Sequence, residues 1–161
     1  HGILLVALLL LAGAGLAFWQ ADRARSADNV ANHAVVDDPA TTEVQSAVAA
    51  ALVRVLSFDY NDPAPTEQAA DDLLAGQARE QYDTLFAALK EKAPGQKLVL
   101  TAQVQVAAVK ELEGDKATLL VFLDQASQRE SDKEATYSAA QLSVEAERRG
   151  GEWKVTGIQP L

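Results

Sequence analysis

The chain has 161 residues, a formal net charge of −9 and no cysteine. This length predicts one folded domain of ordinary size. The acidic charge argues against binding to DNA or RNA, because most of that affinity comes from lysine and arginine at the phosphates. The lack of cysteine excludes disulfides, thiolate catalysis and cysteine-ligated zinc or iron–sulfur sites.

The first predicted element is an apolar segment, residues 2–19, that contains no charged side chain. Its 18 residues fall within the about 17 to 25 that a membrane-spanning helix needs. Phe18 and Trp19 stand where an interfacial aromatic belt is expected. A cleaved secretory signal is the alternative, since residues 12–14 offer small side chains for cleavage, but the apolar run continues past them. The sequence predicts a transmembrane anchor over residues 1–20.

The second half of this segment is rich in small residues. Gly13 and Ala17 form a small-xxx-small pair that would let another membrane helix approach closely, although glycine and alanine are common in any span. Arg23 and Arg25 follow the segment and argue weakly for an N-terminus outside the cell. We nevertheless expect the usual single-pass arrangement in the plasma (inner) membrane, with the domain on the extracytoplasmic or periplasmic side.

A linker or helical extension is predicted over residues 21–40, followed by a soluble domain over residues 41–161 that begins with three helices. Thr42 followed by Gln45 fits a capping box at the start of the first helix. The second covers about residues 66–75 and is closed by Gly76, and the third is stopped at residues 94–95 by Pro-Gly. Apolar residues at helical spacing support the first helix: Val44, Val48, Ala51, Leu52 and Val55.

After Lys97 the hydrophobic period changes to two, which predicts strands. The first strand has one apolar face: Leu98, Leu100, Ala102, Val104, Val106 and Ala108. Turn signals at 113–116 and 149–152 and a charged connection at 126–136 separate three further strands. Helices followed by strands indicate the α+β class. We expect about three helices on the concave face of a curved four-stranded antiparallel sheet, which is a cystatin-like or NTF2-like cone.

Several motifs occur in a fixed order in this chain. They are Ser57-Phe58-Asp59-Tyr60, Tyr82-Asp83-x-Leu85-Phe86, Val121-Phe122-Leu123-Asp124-Gln125 and Gly151-Glu152-Trp153-Lys154-Val155-x-x-Ile158. With the anchor, this pattern resembles the Mce-associated membrane proteins of actinobacteria, over about residues 42–158; the compact turn at residues 62–65 departs from it.

The resemblance implies an NTF2-like (VirB8-like) extracytoplasmic domain tethered by one helix. It also implies association with Mce transporters, which move lipids or sterols across the cell envelope. The implied partners are the permease helices, the extracytoplasmic Mce ring proteins and membrane lipid. Some relatives, of the LucA or LucB kind, act as stabilising accessory subunits.

The residues offer little for catalysis. Asp124 and Tyr60 are the candidates for acid–base chemistry inside a cone, but a solvated strand end and a core edge are the more ordinary roles for them. His33, the only internal histidine, lacks a metal-ligand pattern, and the acidic run at 59–91 lacks calcium-loop spacing. We therefore expect no enzyme activity, no cofactor and no metal site.

Two function hypotheses follow, with a homodimeric scaffold of the secretion-system kind as a weaker third. The first is a non-catalytic accessory subunit that associates with and stabilises an Mce-type lipid transport complex. The second is an anchored NTF2-like domain that binds a small apolar ligand or lipid in its cone. The candidate lining residues, which more ordinarily would fill the core, are Phe86, Leu120, Phe122 and Trp153.

Overall fold

The computed structural model describes residues 38–131 and 134–161. Its elements in chain order are α1 (Asp38–Leu56), β1 (Phe58–Asp59), α2 (Ala64–Leu73), α3 (Gly76–Gln96), β2 (Val99–Glu113), β3 (Lys116–Gln128), β4 (Thr136–Arg149) and β5 (Glu152–Pro160). All strands form one antiparallel sheet in the order β1-β2-β3-β4-β5. The predicted α+β class is confirmed. The sheet has five strands rather than four, because two residues after α1 pair with β2.

Part of the predicted organisation concerns residues that the structure does not describe. The anchor at 1–20, most of the linker, His33 and the pair Gly13 and Ala17 lie outside the described residues. Within residues 38–131 and 134–161, no helix combines the length and the apolar character needed to cross a membrane.

Helix α1 packs its apolar side on the sheet. Val44, Val48 and Leu52 are buried in the main hydrophobic core, as the helical spacing predicts. The predicted capping box is wrong, because Thr42 lies inside α1 and not at the start of a helix. The side-chain amide of Gln45 instead donates a hydrogen bond to the carbonyl oxygen of Ala107 in β2. The side chain of Gln45, which the sequence pattern assigned to the helix end, therefore forms a tertiary contact with the sheet instead.

Helix α3 ends at Gln96, just beyond the stop predicted at residues 94–95. Pro94 lies inside its last turn, where the missing N–H removes only one hydrogen bond. Lys97 adopts the left-handed conformation with φ 48°. The backbone N–H of Lys97 donates to the carbonyl of Pro94 at 3.3 Å, and that of Leu98 to Ala93 at 3.1 Å. These two bonds form a Schellman motif, with lysine in the position that glycine usually occupies.

Strand β2 contains two bulges, where Gln105 and Lys110 are extra residues relative to β3. A bulge interrupts the alternation of side chains between the two faces of a strand. Ala107 is consequently buried, whereas Val106 is 51% exposed and Ala108 is exposed. The predicted inward face of this strand is therefore wrong at Val106 and Ala108.

The sheet has an inner face, covered by the helices, and an outer face that no described helix covers. Strand β3 shows the distinction, since Leu119, Val121 and Leu123 are buried in the main core on the inner face. The residues between them, Leu120 and Phe122, point to the outer face because side chains alternate along a strand. A second, smaller core cluster joins α3 to the first strands and consists of Phe58, Phe86, Ala93 and Leu98.

Candidate functional site

The four candidate lining residues do not share one surface. Phe86 is 8% exposed in the smaller cluster, and Trp153 is 7% exposed in the main core. The guanidinium of Arg148 lies 5.1 Å from the centre of the Trp153 ring. Leu120 and Phe122 lie on the outer face, away from both. The structure therefore places these side chains in three different environments instead of around one cavity.

An apolar groove does open on the inner face, between α3 and the end of β5. Its volume is about 540 Å³. It is lined by Val55, Leu56, Leu74, Ala78, Gln81, Tyr82, Thr84, Leu85, Ile158 and Pro160, none of which carries a charged side chain. Leu85 forms part of this lining and is 72% exposed. A smaller cavity of about 140 Å³ shares Tyr82 and Leu85 with the groove and extends inward to Phe86.

Tyr82 is the central polar side chain of the groove. Its ring stacks on Phe86, with centroids 5.0 Å apart and planes at 18°. Its hydroxyl donates a hydrogen bond to the carbonyl oxygen of Thr66 at 3.3 Å. Burial, with a smaller contribution from the carboxylate of Glu67, raises the pKa of Tyr82 above its ordinary value. The hydroxyl is therefore neutral and serves as a hydrogen-bond donor to the backbone.

Two polar side chains of the smaller cavity, Thr66 and Gln125, form hydrogen bonds to the end of α1. The hydroxyl of Thr66 donates to the carbonyl oxygen of Ser57 at 2.8 Å. The amide of Gln125 donates to the carbonyl oxygen of Leu56 at 3.2 Å. The last carbonyls of a helix lack intrahelical partners, so these bonds satisfy groups that would otherwise be buried without one. The groove itself offers a ligand mainly apolar surface, with Gln81, Tyr82 and Thr84 as the polar side chains of its lining.

The two candidate catalytic residues do not converge. Tyr60 packs against the smaller core cluster. Asp124 is exposed, and alternation with the buried Leu123 places it on the outer face. The sheet separates their side chains, so they do not form an acid–base pair. Among the residues that the structure describes, no three histidine, cysteine, aspartate or glutamate side chains are grouped as a metal site would require.

The outer face carries an exposed apolar patch, which we call the outer strip: Val106, Ala108, Leu120 and Phe122. Val106 pairs with Phe122 across the β2–β3 ladder, and Ala108 pairs with Leu120, so the four residues form a compact block. Phe122 is 37% exposed. The sequence contains a signal for this patch, because residues 119–123 are apolar without interruption, as in strands that are covered on both faces.

No protein-family model matches this chain. It is 26% identical over 160 residues to the uncharacterized protein Rv1362c of Mycobacterium tuberculosis H37Rv, and the match covers 99% of this chain and 70% of the relative. The uncharacterized protein MT1407 of M. tuberculosis CDC 1551 matches with the same identity and coverage.

Solved structures show the same architecture. An IcmL-like type IV secretion system protein of Legionella pneumophila matches with a TM-score of 0.60 and 14% identity, over 77% of this chain and 92% of that one. CagV, a VirB8 homolog of the Helicobacter pylori type IV secretion system, matches with a TM-score of 0.56 and 13% identity, over 74% and 96%. A periplasmic fragment of TraM matches with a TM-score of 0.53 and 9% identity, over 74% and 96%. At these identities the likeness establishes the fold, which is VirB8-like and consistent with an NTF2-like domain.

Proposed function

We propose that this chain is a non-catalytic accessory subunit that associates with and stabilises an Mce-type lipid transport complex in the cell envelope. One helix anchors it in the plasma membrane, and the domain lies on the extracytoplasmic side. The single observation that carries the proposal is the outer strip. The motif order and the fold that the chain shares with an IcmL-like secretion system protein support it.

The outer strip has the character of a docking surface. An antiparallel sheet that faces water on one side normally carries polar residues there. Here Val106 and Phe122 are adjacent and substantially exposed, and Leu120 extends the patch along β3. Contiguous exposed apolar surface marks sites of protein–protein contact. A subunit that uses this face needs no catalytic group.

The proposed partners divide between the two parts of the chain. In the membrane, the small residues Gly13 and Ala17 would pack on permease helices, with lipid around the rest of the anchor. Outside the membrane, the outer strip would contact the Mce ring proteins. Each part contributes its own surface, so each can be tested by its own substitutions.

Purification of the tagged full chain from native membranes tests the proposal. Mce permease and ring proteins are expected to co-purify in mild detergent, and recovery of the chain alone would refute the proposal. The pair Gly13→Leu and Ala17→Leu should weaken co-purification of the permease. Gly15→Leu is the control, because helical spacing places it opposite the face that Gly13 and Ala17 share.

The apolar groove favours a second candidate function, binding of a lipid or another small apolar ligand. Its volume of about 540 Å³ lies within the usual range for small-molecule sites. Mass spectrometry of lipid retained by the purified chain would test this. Leu85→Asp, in the groove, should reduce retained lipid, whereas Phe122→Asp, on the outer face, should not. Equal retention by both variants would remove the groove from consideration.

A further inference from the structure

The charges that surround the outer strip say what kind of surface fits it. The next cross-strand row toward the β2–β3 turn consists of Glu111, Thr118 and Glu145. At the opposite end of the strip, Asp124 occupies the corresponding position on β3. Carboxylates therefore lie beyond both ends of the apolar block.

Further carboxylates lie toward the β2–β3 turn, where lysines accompany them in the cross-strand row of Glu113, Lys116, Glu147 and Lys154. A shallow depression of about 330 Å³ next to the strip includes Glu111, Glu113, Glu145, Glu147 and Lys116 in its lining. The carboxylate of Glu147 lies 2.6 Å from the Arg149 guanidinium. Lys110 lies in the second β2 bulge, and Lys154 is aligned with Glu147 in the β4–β5 ladder. The lining of the depression thus holds four carboxylates and one ammonium group.

We infer that the outer strip binds a partner protein whose apolar centre is flanked by lysine or arginine side chains. This inference rests on the proposed function, since it describes the partner of the same face. Thr118 and Asp124 are six residues apart on β3, which corresponds to about 20 Å along a strand. The partner's cations would therefore lie about 20 Å apart, on either side of its apolar contact.

A second copy of this chain does not fit this face. A twofold dimer would bring the same patch of each copy together. Because carboxylates lie at both ends of the strip, either relative direction of the strands would place carboxylate opposite carboxylate. Each copy also carries a net charge of −9. Like charges brought together across an interface disfavour association.

An anionic lipid surface does not fit it either. Anionic headgroups attract lysine and arginine rather than carboxylates. Glu111, Glu145 and Asp124 would be repelled at the same distance at which Val106 and Phe122 began to enter the membrane. A protein with a basic rim satisfies both the apolar block and its acidic ends.

Site-specific photo-crosslinking in native membranes tests the inference with the full chain. A benzophenone amino acid in place of Val106 should cross-link to a protein of the transport complex, whereas the same probe in place of Leu85 is the control on the other side of the sheet. The double charge reversal Glu111→Lys and Glu145→Lys should reduce the cross-link from position 106 at least about tenfold, as loss of charge pairs at an interface does. Raising the salt concentration should reduce it as well.

A matched double reversal, Glu80→Lys and Glu91→Lys on α3, changes the net charge by the same amount and should leave the cross-link unchanged. Substituting glutamate for a lysine of the cross-linked partner should restore the cross-link of the reversed chain. Thermal melting of each variant verifies that the fold is intact. Together these measurements separate a local effect of the carboxylates beside the outer strip from a general effect of net charge.

Three results would overturn the inference: a cross-link to a second copy, a cross-link to lipid alone, or a protein cross-link that the reversal of Glu111 and Glu145 leaves unchanged. If transporter proteins still co-purify in those cases, the proposed function stands. If none co-purifies with the unaltered chain, the proposed function fails. A cross-link from position 106 to another protein that depends on Glu111 and Glu145 would then still support a basic partner.

Discussion

Replacing Leu119 by alanine should destabilise the domain by about 3 kcal/mol or more, whereas the same change at Leu120 should cost about 1 kcal/mol. Leu119 is fully buried, and the change removes three carbon atoms, worth about 2.4 kcal/mol in transfer free energy at about 0.8 each. The cavity left behind adds to this, within an overall range of about 2 to 5 kcal/mol. Leu120 is half-buried on the outer face, so less area is lost and no closed cavity forms.

Urea unfolding followed by circular dichroism measures both costs. With a slope of about 2 kcal/mol per molar urea, the midpoint should fall by about 1.5 M for Leu119→Ala and by about 0.5 M for Leu120→Ala. The slope itself should not change. Equal shifts, or a larger shift for Leu120→Ala, would show that the two faces of β3 are assigned wrongly. The outer strip would then be lost as a surface.

Three smaller effects extend these predictions. In thermal melts, Gly114→Ala should destabilise the domain by about 1 kcal/mol, because a φ of 56° disfavours a residue with a Cβ. Gly95→Ala should stabilise the domain by up to about 1 kcal/mol, because Gly95 lies in α3 and has free space around it. Because the pKa of Tyr82 is raised, the folded state holds the hydroxyl proton more tightly than the unfolded state does. The free energy of unfolding should therefore fall as pH rises above about 10. Unfolding measured over a series of pH values should show a smaller fall for Tyr82→Phe. Arg79→Gln breaks ion pairs of 2.5 Å to Asp71 and 2.8 Å to Asp83, and should cost at most about 1 kcal/mol in urea unfolding, less at high salt.

Local periodicity was sufficient to predict the α+β class and the main helices and strands, but not the short strand β1. The apolar spacing of Val44, Val48 and Leu52 identifies the buried side of α1, and the change to a period of two near Lys97 marks the passage from helices to sheet. These patterns reflect burial of one side of each element, which dominates its free energy. The order of elements then leaves few ways to cover the sheet, and the α+β arrangement follows.

Single-residue irregularities were not predictable in the same way. The bulges at Gln105 and Lys110 have no glycine or proline to mark them, and the partner strand decides where they occur. The side-chain amide of Gln45 bonds to β2, a strand more than fifty residues further along the chain. Such features depend on tertiary contacts, so a helical or alternating pattern does not reveal them.

The candidate site was predictable only in part. The helical spacing of Tyr82 and Phe86 places both on the inner side of α3, and Phe86 does border the inner cavity. Leu120 and Phe122 belong to a run in which both faces of the strand are apolar. Such a run shows that both faces have hydrophobic character but not which face the helices cover. Only the packing of α1 on the buried alternate residues of β3 decides this.

The bulges of β2 also determine where the chain tolerates a change of length. Gln105 and Lys110 have no opposite residue on β3, while their neighbours are paired in register. Loss of either residue would preserve the remaining pairs of the β2–β3 ladder. Each remaining side chain of β2 would also keep its orientation toward the inner or the outer face. Loss of a residue between them, such as Ala107, would turn a stretch of the strand inside out. During divergence, relatives can therefore shorten β2 at these two points without turning its buried side chains toward the outer face.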